Sequence, residues 1–450
     1  PKFPQFYMFD TFFYFYLKTK NEKYFKTVET LLSNICSKGI YDQLAGGIAR
    51  YTVDESWIIP HFEKMLYDNI QFVDLLGKFY QKTQNQYFKK KLQQTINFIN
   101  SEFINNNNLY GSAYDADSDG VEGKYYVWSN EELKKIVGDD IELLKKKYNI
   151  SENGNFEGKN ILVEKNINFS DEEISKLSIL ENKLLVERKK RNKPLFDDKS
   201  QTDQNAFLLK TLLNVSIILD DDNLRDKTLN KIRIIDEKLK SRIFHCFESA
   251  EIDTFLEDYV YYASLLITIY EIKGEQVYLD RSIQIVNDVW DKFYDSKSKL
   301  LQKNSIKNND LFASPIDLND NNIPNGNSLY LNLCNKLYNI TNNRDWLEKI
   351  DILKKSFHQI LNSNFSQMFS FIKTLDVINE NISFTFYGNS DEIKKINKKL
   401  YKDYVGKATF IYKNQDDKQS YAVICKNQTC STKLSTINEI DKYIEESNIN

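Results

Sequence analysis

One short text recurs along the chain and limits what it can fold into. TKNEKYF (residues 19–25), TQNQYF (83–88), KGEQVYL (273–279) and TNNRDWL (341–347) each set a polar turn of Asn, Asp or Gly between an apolar helix and a second helix entered through an aromatic or leucine. LDDDNL (219–224) is a looser fifth copy. A spacing of roughly 60 residues with two helices per unit describes αα-hairpins stacked in series, each covering the apolar face its neighbour exposes. Five hairpins are placed at residues 5–38, 60–104, 201–240, 254–294 and 325–363, and residues 366–377 offer one helix of a sixth. Six in a closed ring make a double-layered α/α toroid, so the expected class is mainly α.

Composition agrees. Gly (14) and Pro (6) are scarce while Tyr (28) and Phe (29) are abundant, which favours long helices over a turn-rich all-β fold. With 61 basic and 64 acidic residues the net charge is −3, so no electrostatic attraction to nucleic acid or anionic lipid is expected. The aromatic run over residues 3–17 is broken by Asp10 and is shorter than the roughly 20 residues a membrane span needs; it reads as a buried helix. Cys36, Cys246, Cys334, Cys425 and Cys430 are odd in number and mostly isolated, which favours a reducing, cytoplasmic setting over a disulfide framework.

Long inserts separate the hairpins, and such inserts are where function concentrates. They are residues 41–57, residues 109–128 with a strand-like end at 125–128, a charged helical excursion over 130–191, and an Asn/Asp-rich stretch over 299–325. From Ile382 the period changes to strand, helix (391–401), two strands and a helix (436–446). The expected domains are therefore a toroid over 1–381 and a small α/β appendage over 382–450.

Residues 46–69, GGIARYTVDESWIIPHFEKMLYDN, hold the densest chemistry. Pro60 suits the first turn of a helix, on which Phe62, Leu66, Asn69, Ile70 and Val73 would share one face and His61, Lys64 and Asp68 a polar stripe. With Glu63, that stripe is either an acid/base face or an ordinary solvated one carrying a Lys64–Asp68 pair. Asp115, Asp117 and Asp119 alternate like the start of a calcium loop, but position twelve is Tyr126, so an EF-hand is excluded; sugar-hydroxyl binding and a solvated acidic turn both stay open. Asp197-Asp198-Lys199 and Glu257-Asp258-Tyr259 stand at helix starts, where the helix dipole also favours acidic residues. Asn325-Gly326-Asn327-Ser328 is a turn running into a helix. Cys425 and Cys430 could be a disulfide, a thiol pair or simply buried, and a four-ligand zinc set does not assemble around them. No phosphate loop, Ser/His/Asp elbow or redox CxxC is present, so no cofactor is expected.

Taken in order, PKFP (1–4), residues 46–69, YDADSDGVEGKYYVW (114–128), Arg188 and Arg191 leading to DDK (197–199), FLEDY (255–259), PNGNS (324–328) and CKNQTC (425–430) resemble the spermatogenesis-associated, thioredoxin-domain-containing proteins. The resemblance implies a thioredoxin-like domain before PKFP and a body similar to N-acylglucosamine 2-epimerases and six-hairpin glycosidases. This chain departs from the pattern. Gln43 and Ala45 stand where a histidine and a glycine are typical, a tryptophan expected before Asn205 is absent, and the text before PNGNS has become LLQKNS.

Two functions follow from the resemblance. The first is a sugar- or polyol-binding toroid with epimerase- or glycosidase-like activity, using His61, Asp68, Asp115, Asp117 and Asp258 as catalytic groups. Its substrate contacts would be Arg50, Tyr51, Glu63, Lys64, Tyr67, Asn69, Trp128, Asp198, Lys199, Asn205, Glu257 and Asn327. The second is a non-catalytic module that presents a ligand to the thioredoxin-like domain.

Overall fold

The recurring turn has a backbone cause. In the computed structural model, which describes residues 1–306, 315–388, 390–404, 408–413, 420–427, 429–447 and 449, each copy places one left-handed residue before one extended helix cap. Lys20, Gln84, Asp220, Gly274 and Asn342 have φ of 57°, 53°, 52°, 70° and 55°. The residues that follow are Asn21, Asn85, Asp221, Glu275 and Asn343, and every one but Glu275 caps the next helix through its side chain. A left-handed residue ends one helix by turning its N–H back to the preceding turn, and an Asn or Asp oxygen then satisfies an orphan N–H of the next. This is why the repeat reads as Asn, Asp and Gly.

The described chain divides into two compact units, Pro1–Phe13 with Asn21–Ser200, and Tyr14–Lys20 with Gln201–Asn450. In chain order the elements up to Ser200 are α1 (Phe6–Thr19), α2 (Glu22–Ser37), β1 (Lys64–Met65), α3 (Leu66–Thr83), α4 (Gln86–Glu102), β2 (Ala113–Tyr114), β3 (Asp117–Ser118), β4 (Val121–Glu122), α5 (Asn130–Val137), α6 (Ile141–Lys147), α7 (Asp171–Arg188) and β5 (Phe196–Asp197). After Ser200 come α8 (Thr202–Ile218), α9 (Asp222–Leu239), α10 (Leu256–Lys273), α11 (Gln276–Phe293), β6 (Tyr294–Asp295), β7 (Leu300–Leu301), α12 (Gly326–Thr341), α13 (Arg344–Asn364), α14 (Phe369–Glu380), β8 (Ile382–Tyr387), α15 (Asp391–Tyr404), β9 (Thr409–Lys413), β10 (Tyr421–Lys426), β11 (Thr429–Cys430) and α16 (Ile437–Glu446).

The hairpins α1–α2, α3–α4, α8–α9, α10–α11 and α12–α13 stand where the repeat puts them. Their two helices differ in kind. Helices α3, α8 and α10 are buried on nearly every side, whereas α9 buries only the stripe Leu224, Thr228, Ile232, Ile235 and Leu239, and α2, α4 and α11 show the same one-sided pattern. A helix buried all round, paired with one buried along a single stripe, is the hairpin that a two-layer arrangement needs. In the second unit α10 packs against α8, α11 and α12.

Several expectations need correction. No helix starts at Pro60. Phe62 takes φ of 64°, and residues 60–65 instead lie along neighbouring backbone: Pro60 pairs with Thr52, His61 N–H with the Tyr51 carbonyl, and β1 with β2. Burial of the Phe62 ring among Ala116, Val127 and Ile161 outweighs the local helical pattern. The His61, Lys64, Asp68 stripe therefore does not exist, and α3 opens at Leu66. Residues 125–128 are not a strand either. Gly123, at φ of 69°, turns the chain so that the Tyr126 and Val127 N–H groups return to its carbonyl, and only Trp128 pairs, with Asn160. Besides β2, the strands of that insert are the hairpin β3–β4, closed by Asp119-Gly120 with both φ positive, the turn that matches strand twist.

In the C-terminal segment the sheet order is β11-β10-β8-β9, with β8 and β9 parallel. Lys407 of the expected KATFIY strand, Gln428 of CKNQTC and residues 307–314 of the last insert lie outside the described residues. Cys425 and Cys430 face each other across β10 and β11 and are disulfide-bonded; Cys36, Cys246 and Cys334 are free and buried. No helix among the described residues is long and apolar enough to cross a membrane.

A Cβ at Gly274 would be left-handed and would meet the Tyr412 ring at 2.8 Å. Gly274→Ala is therefore expected to lower the unfolding free energy by more than about 1 kcal/mol, whereas Gln84→Gly, at the equivalent turn, raises it by roughly 0.5 kcal/mol. Urea melts of the two variants check this, and equal effects would contradict the turn assignment.

Candidate functional site

In the first unit the sequence-predicted residues fall into three groups. The first gathers around Asp42, which the sequence reading did not select. Its carboxylate accepts Arg188 Nη1 and Nη2 at 2.9 Å each and Lys64 Nζ at 2.9 Å, and all three side chains are almost fully buried. The same carboxylate accepts the Leu44 and Ala45 N–H groups. This tight turn needs Gly46 and Gly47, at φ of 90° and 79°; a Cβ on Gly47 would strike the Phe98 ring. Burial alone would raise the Asp42 pKa, but the adjoining Arg188 and Lys64 charges reverse this and hold it well below the usual carboxylate range. Lys64 pairs here and not with Asp68.

The second group stands at the start of α3. Arg50 Nη1 reaches Glu63 Oε2 at 3.2 Å, and the Tyr67 phenol and the Asp68 carboxyl lie within the field of that pair. Asp68 is buried, and its Oδ2 has no hydrogen-bond partner among the described residues. Burial pushes its pKa well above the ordinary value, Arg50 opposing and Glu63 adding.

The third group is superficial. His61 stacks on Tyr51 at 4.8 Å between ring centroids and pairs through Nδ1 with exposed Glu122 at 2.8 Å. Asp115 and Asp117 are exposed, the latter opposite Glu122 in the β3–β4 hairpin. Asp198 and Lys199 are exposed too, with the Lys199 ammonium on Asp197. Trp128 stands outside these three groups, wholly buried under the Arg191 guanidinium, 3.9 Å from its ring centroid.

Two asparagines turn out to be clamps. Asn69 Oδ1 accepts the Ile48 N–H and its Nδ2 donates to the Ile48 carbonyl, while Asn327 treats Leu301 in the same way. Asn205 Nδ2 donates to the Gln201 carbonyl. All three are fully buried, so the backbone and not a substrate accounts for them.

The second unit holds a denser constellation. Asp258, at 0% exposure, accepts His245 Nδ1 at 3.0 and 3.1 Å, the Phe255 N–H at 2.9 Å and the Asp203 N–H at 3.3 Å. Asp203 and Asp258 lie in the first turns of α8 and α10. His245 is in the intervening loop, strapped to α8 by Thr202, whose N–H and Oγ1 donate to the His245 and Phe244 carbonyls. Phe255 sets its ring edge-on to His245 at 4.8 Å.

Ligating atoms of Asp203, His245 and Asp258 all lie within 4.8 Å of one another. Burial and the neighbouring Asp258 charge push the Asp203 carboxyl up to about 7. Burial raises Asp258 as well, against the pull of His245. For His245, burial would lower the pKa, but the Asp258 hydrogen bond and the Asp258 and Asp203 charges raise it. Glu257 is raised by burial, and its Oε2 has no hydrogen-bond partner among the described residues. Three adjoining proton-binding groups, all with raised pKa, can exchange protons among themselves.

Sequence reasoning found Asp258 and Glu257 but missed Asp203, His245 and Asp42. The available signals were the scarcity of histidine, with only three in the chain, and the acidic residue one place inside α8.

No known family model matches the chain. Over 385 residues, 73% of its length, it is 24% identical to human spermatogenesis-associated protein 20, and over 383 residues 25% identical to the rat protein. These alignments cover 48% of each relative, so the chain spans about half the length of the curated relatives it matches. Among solved structures it is similar to cellobiose 2-epimerase from Bacillus thermoamylovorans, with a TM-score of 0.51 and 13% identity over 78% of this chain and 73% of that one. A sugar epimerase from a ruminal bacterium gives 0.50 and 9%, over 79% and 74%. At such identities the likeness shows the fold, and that fold is the α/α toroid.

Between pH 4 and 7 folded Asp203 keeps a proton that the unfolded chain, with its carboxyl near 3.8, has released. Stability therefore falls as pH rises through this window and levels off above it. Asp203→Asn removes that titration. In denaturant melts the variant is expected to be the more stable protein at pH 7.5 and to converge on the wild type toward pH 4. Parallel curves at all pH values would show that Asp203 is an ordinary carboxylate.

Proposed function

We propose that this chain is a carbohydrate-active toroid whose second unit performs general acid–base proton transfer on a sugar-like polyol. The observation that carries the reading is the His245 imidazole held through Nδ1 by both oxygens of buried Asp258, with Asp203 raised to about 7 beside it. A carboxylate on Nδ1 fixes the tautomer that leaves Nε2 free as a base, and it stabilises the imidazolium formed when that base works. Asp203, protonated near neutrality, is the matching acid.

A proton taken by Nε2 from a carbon beside a carbonyl, with Asp203 protonating the oxygen, gives an enediol; return of both protons restores the carbonyl with no net change in atoms or charge, and the centre inverts when the enediol turns its other face to Nε2 before the proton returns. The fold shared with proteins named cellobiose 2-epimerase and sugar epimerase supports the substrate class. Asp258, placed among the catalytic groups by the sequence reading, acts in this proposal as a positioning group, while His61, Asp115 and Asp117 have no part in the proposed step.

The test is proton exchange. Aldoses, ketoses and disaccharides incubated with the protein in heavy water are expected to lose the proton next to the carbonyl in ¹H NMR, with a bell-shaped pH dependence. His245→Gln and Asp258→Asn each lower the rate by about 10²–10⁴-fold. Hydrolysis without exchange would replace this reaction with glycoside cleavage. Sugar binding by calorimetry with neither exchange nor cleavage would reduce the chain to a binding module.

A further inference from the structure

A second site lies within the first unit, apart from any reaction at His245. A cleft of about 200 Å³ has the Asp42–Lys64–Arg188 group in its wall. Two cations there share a single carboxylate, and the Lys64 and Arg188 side chains are each only 3% exposed. One positive charge is thus left over where water is scarce, a costly arrangement unless an anion answers it. Burial first, and then the Arg188 charge, hold the Lys64 pKa below its ordinary value against the pull of Asp42.

The donors tell the same story. Of the three Lys64 N–H groups, one goes to Asp42 and one to the Gly46 carbonyl at 3.2 Å, and the third has no acceptor among the described residues. Arg188 Nε is likewise buried without a partner. The lining adds Lys189 and Lys193 on the cationic side and Glu102 on the anionic, the last already paired with Lys193 at 2.7 Å. Phe98, Tyr114, Tyr125 and Tyr126 supply ring faces, with Lys64 Nζ 4.2 Å from the Phe98 centroid and the Arg188 guanidinium 5.2 Å from that of Tyr125. Aromatic faces beside surplus cations suit a ligand with an apolar ring face and one anionic group.

We propose that this cleft binds a small anionic sugar derivative, its carboxylate or phosphate answering the Lys64–Arg188 charge and its ring lying on the aromatic wall. Calorimetry on the full chain with glucuronate, glucose 6-phosphate, glucose and inorganic phosphate separates the sources of the anion. At least one of the two charged sugars is expected to bind with Kd below about 1 mM and to weaken as salt rises, while glucose does not bind.

Lys64→Gln risks the fold, so the decisive variants are at exposed lining positions. Ser101→Trp, which fills the cleft, and the Lys189→Ala/Lys193→Ala pair are each expected to weaken binding at least about tenfold, a loss well above what one screened surface charge accounts for. Affinity unchanged in both variants, absence of binding by both charged sugars, or phosphate binding as tightly as glucose 6-phosphate would overturn the proposal. None of these results depends on proton exchange at His245, so the two sites stand or fall separately.

Discussion

Asp258 is the constraint on which the second unit turns. A carboxylate removed from water costs several kcal/mol unless its oxygens are met by donors. Here they meet the backbone at the start of α10, the backbone at the start of α8, and an imidazole from the loop between those hairpins. One side chain thus joins three segments that the chain supplies far apart. The position of His245 follows from that junction, because the loop carrying it is also tied to Thr202. Charge-assisted hydrogen bonds contribute about 1.5–3 kcal/mol each, so the geometry of the junction is held more firmly than a surface loop could be.

The first unit solves the same problem with the opposite result. The Asp42 side chain is almost as buried as that of Asp258 but faces an arginine and a lysine, so it stays ionised and acts as a clamp. Asp258 and Asp203 share one histidine, too little positive charge to keep both ionised, so their protons are retained to higher pH. The same residue type becomes a fixed counter-ion in one unit and a proton store in the other. The number of cations within reach makes the difference, and burial is common to both.

The hairpins were legible because their turns have strict backbone needs: a left-handed residue followed by a cap limits each copy to Asn, Asp, Gly and a few others, and text under that restriction repeats visibly. Residues 60–65 were misread because local pattern lost to tertiary packing, with the Phe62 ring finding burial only when its backbone turned left-handed. Asn69 and Asn327 entered as ligand contacts through the motifs that hold them, yet each meets the backbone N–H and carbonyl of a single residue, Ile48 or Leu301. His245 stayed invisible because nothing in its own neighbourhood of sequence marks it. Its meaning comes from Asp258, which local pattern reading does not bring beside it, and from Asp203, more distant still. Pairings of that kind are fixed by how hairpins pack, which period and propensity do not encode.

The central claim is that buried Asp258 governs the protonation and placement of His245. Titrating the His245 imidazole by ¹⁵N NMR in the wild-type chain and in Asp258→Asn tests it most directly. The account expects a wild-type pKa above the ordinary 6.5, with Nδ1 protonated in the neutral form, and a clear fall in the variant as the charged partner is lost while burial remains. A wild-type pKa at or below the ordinary value that does not move on substitution would contradict it.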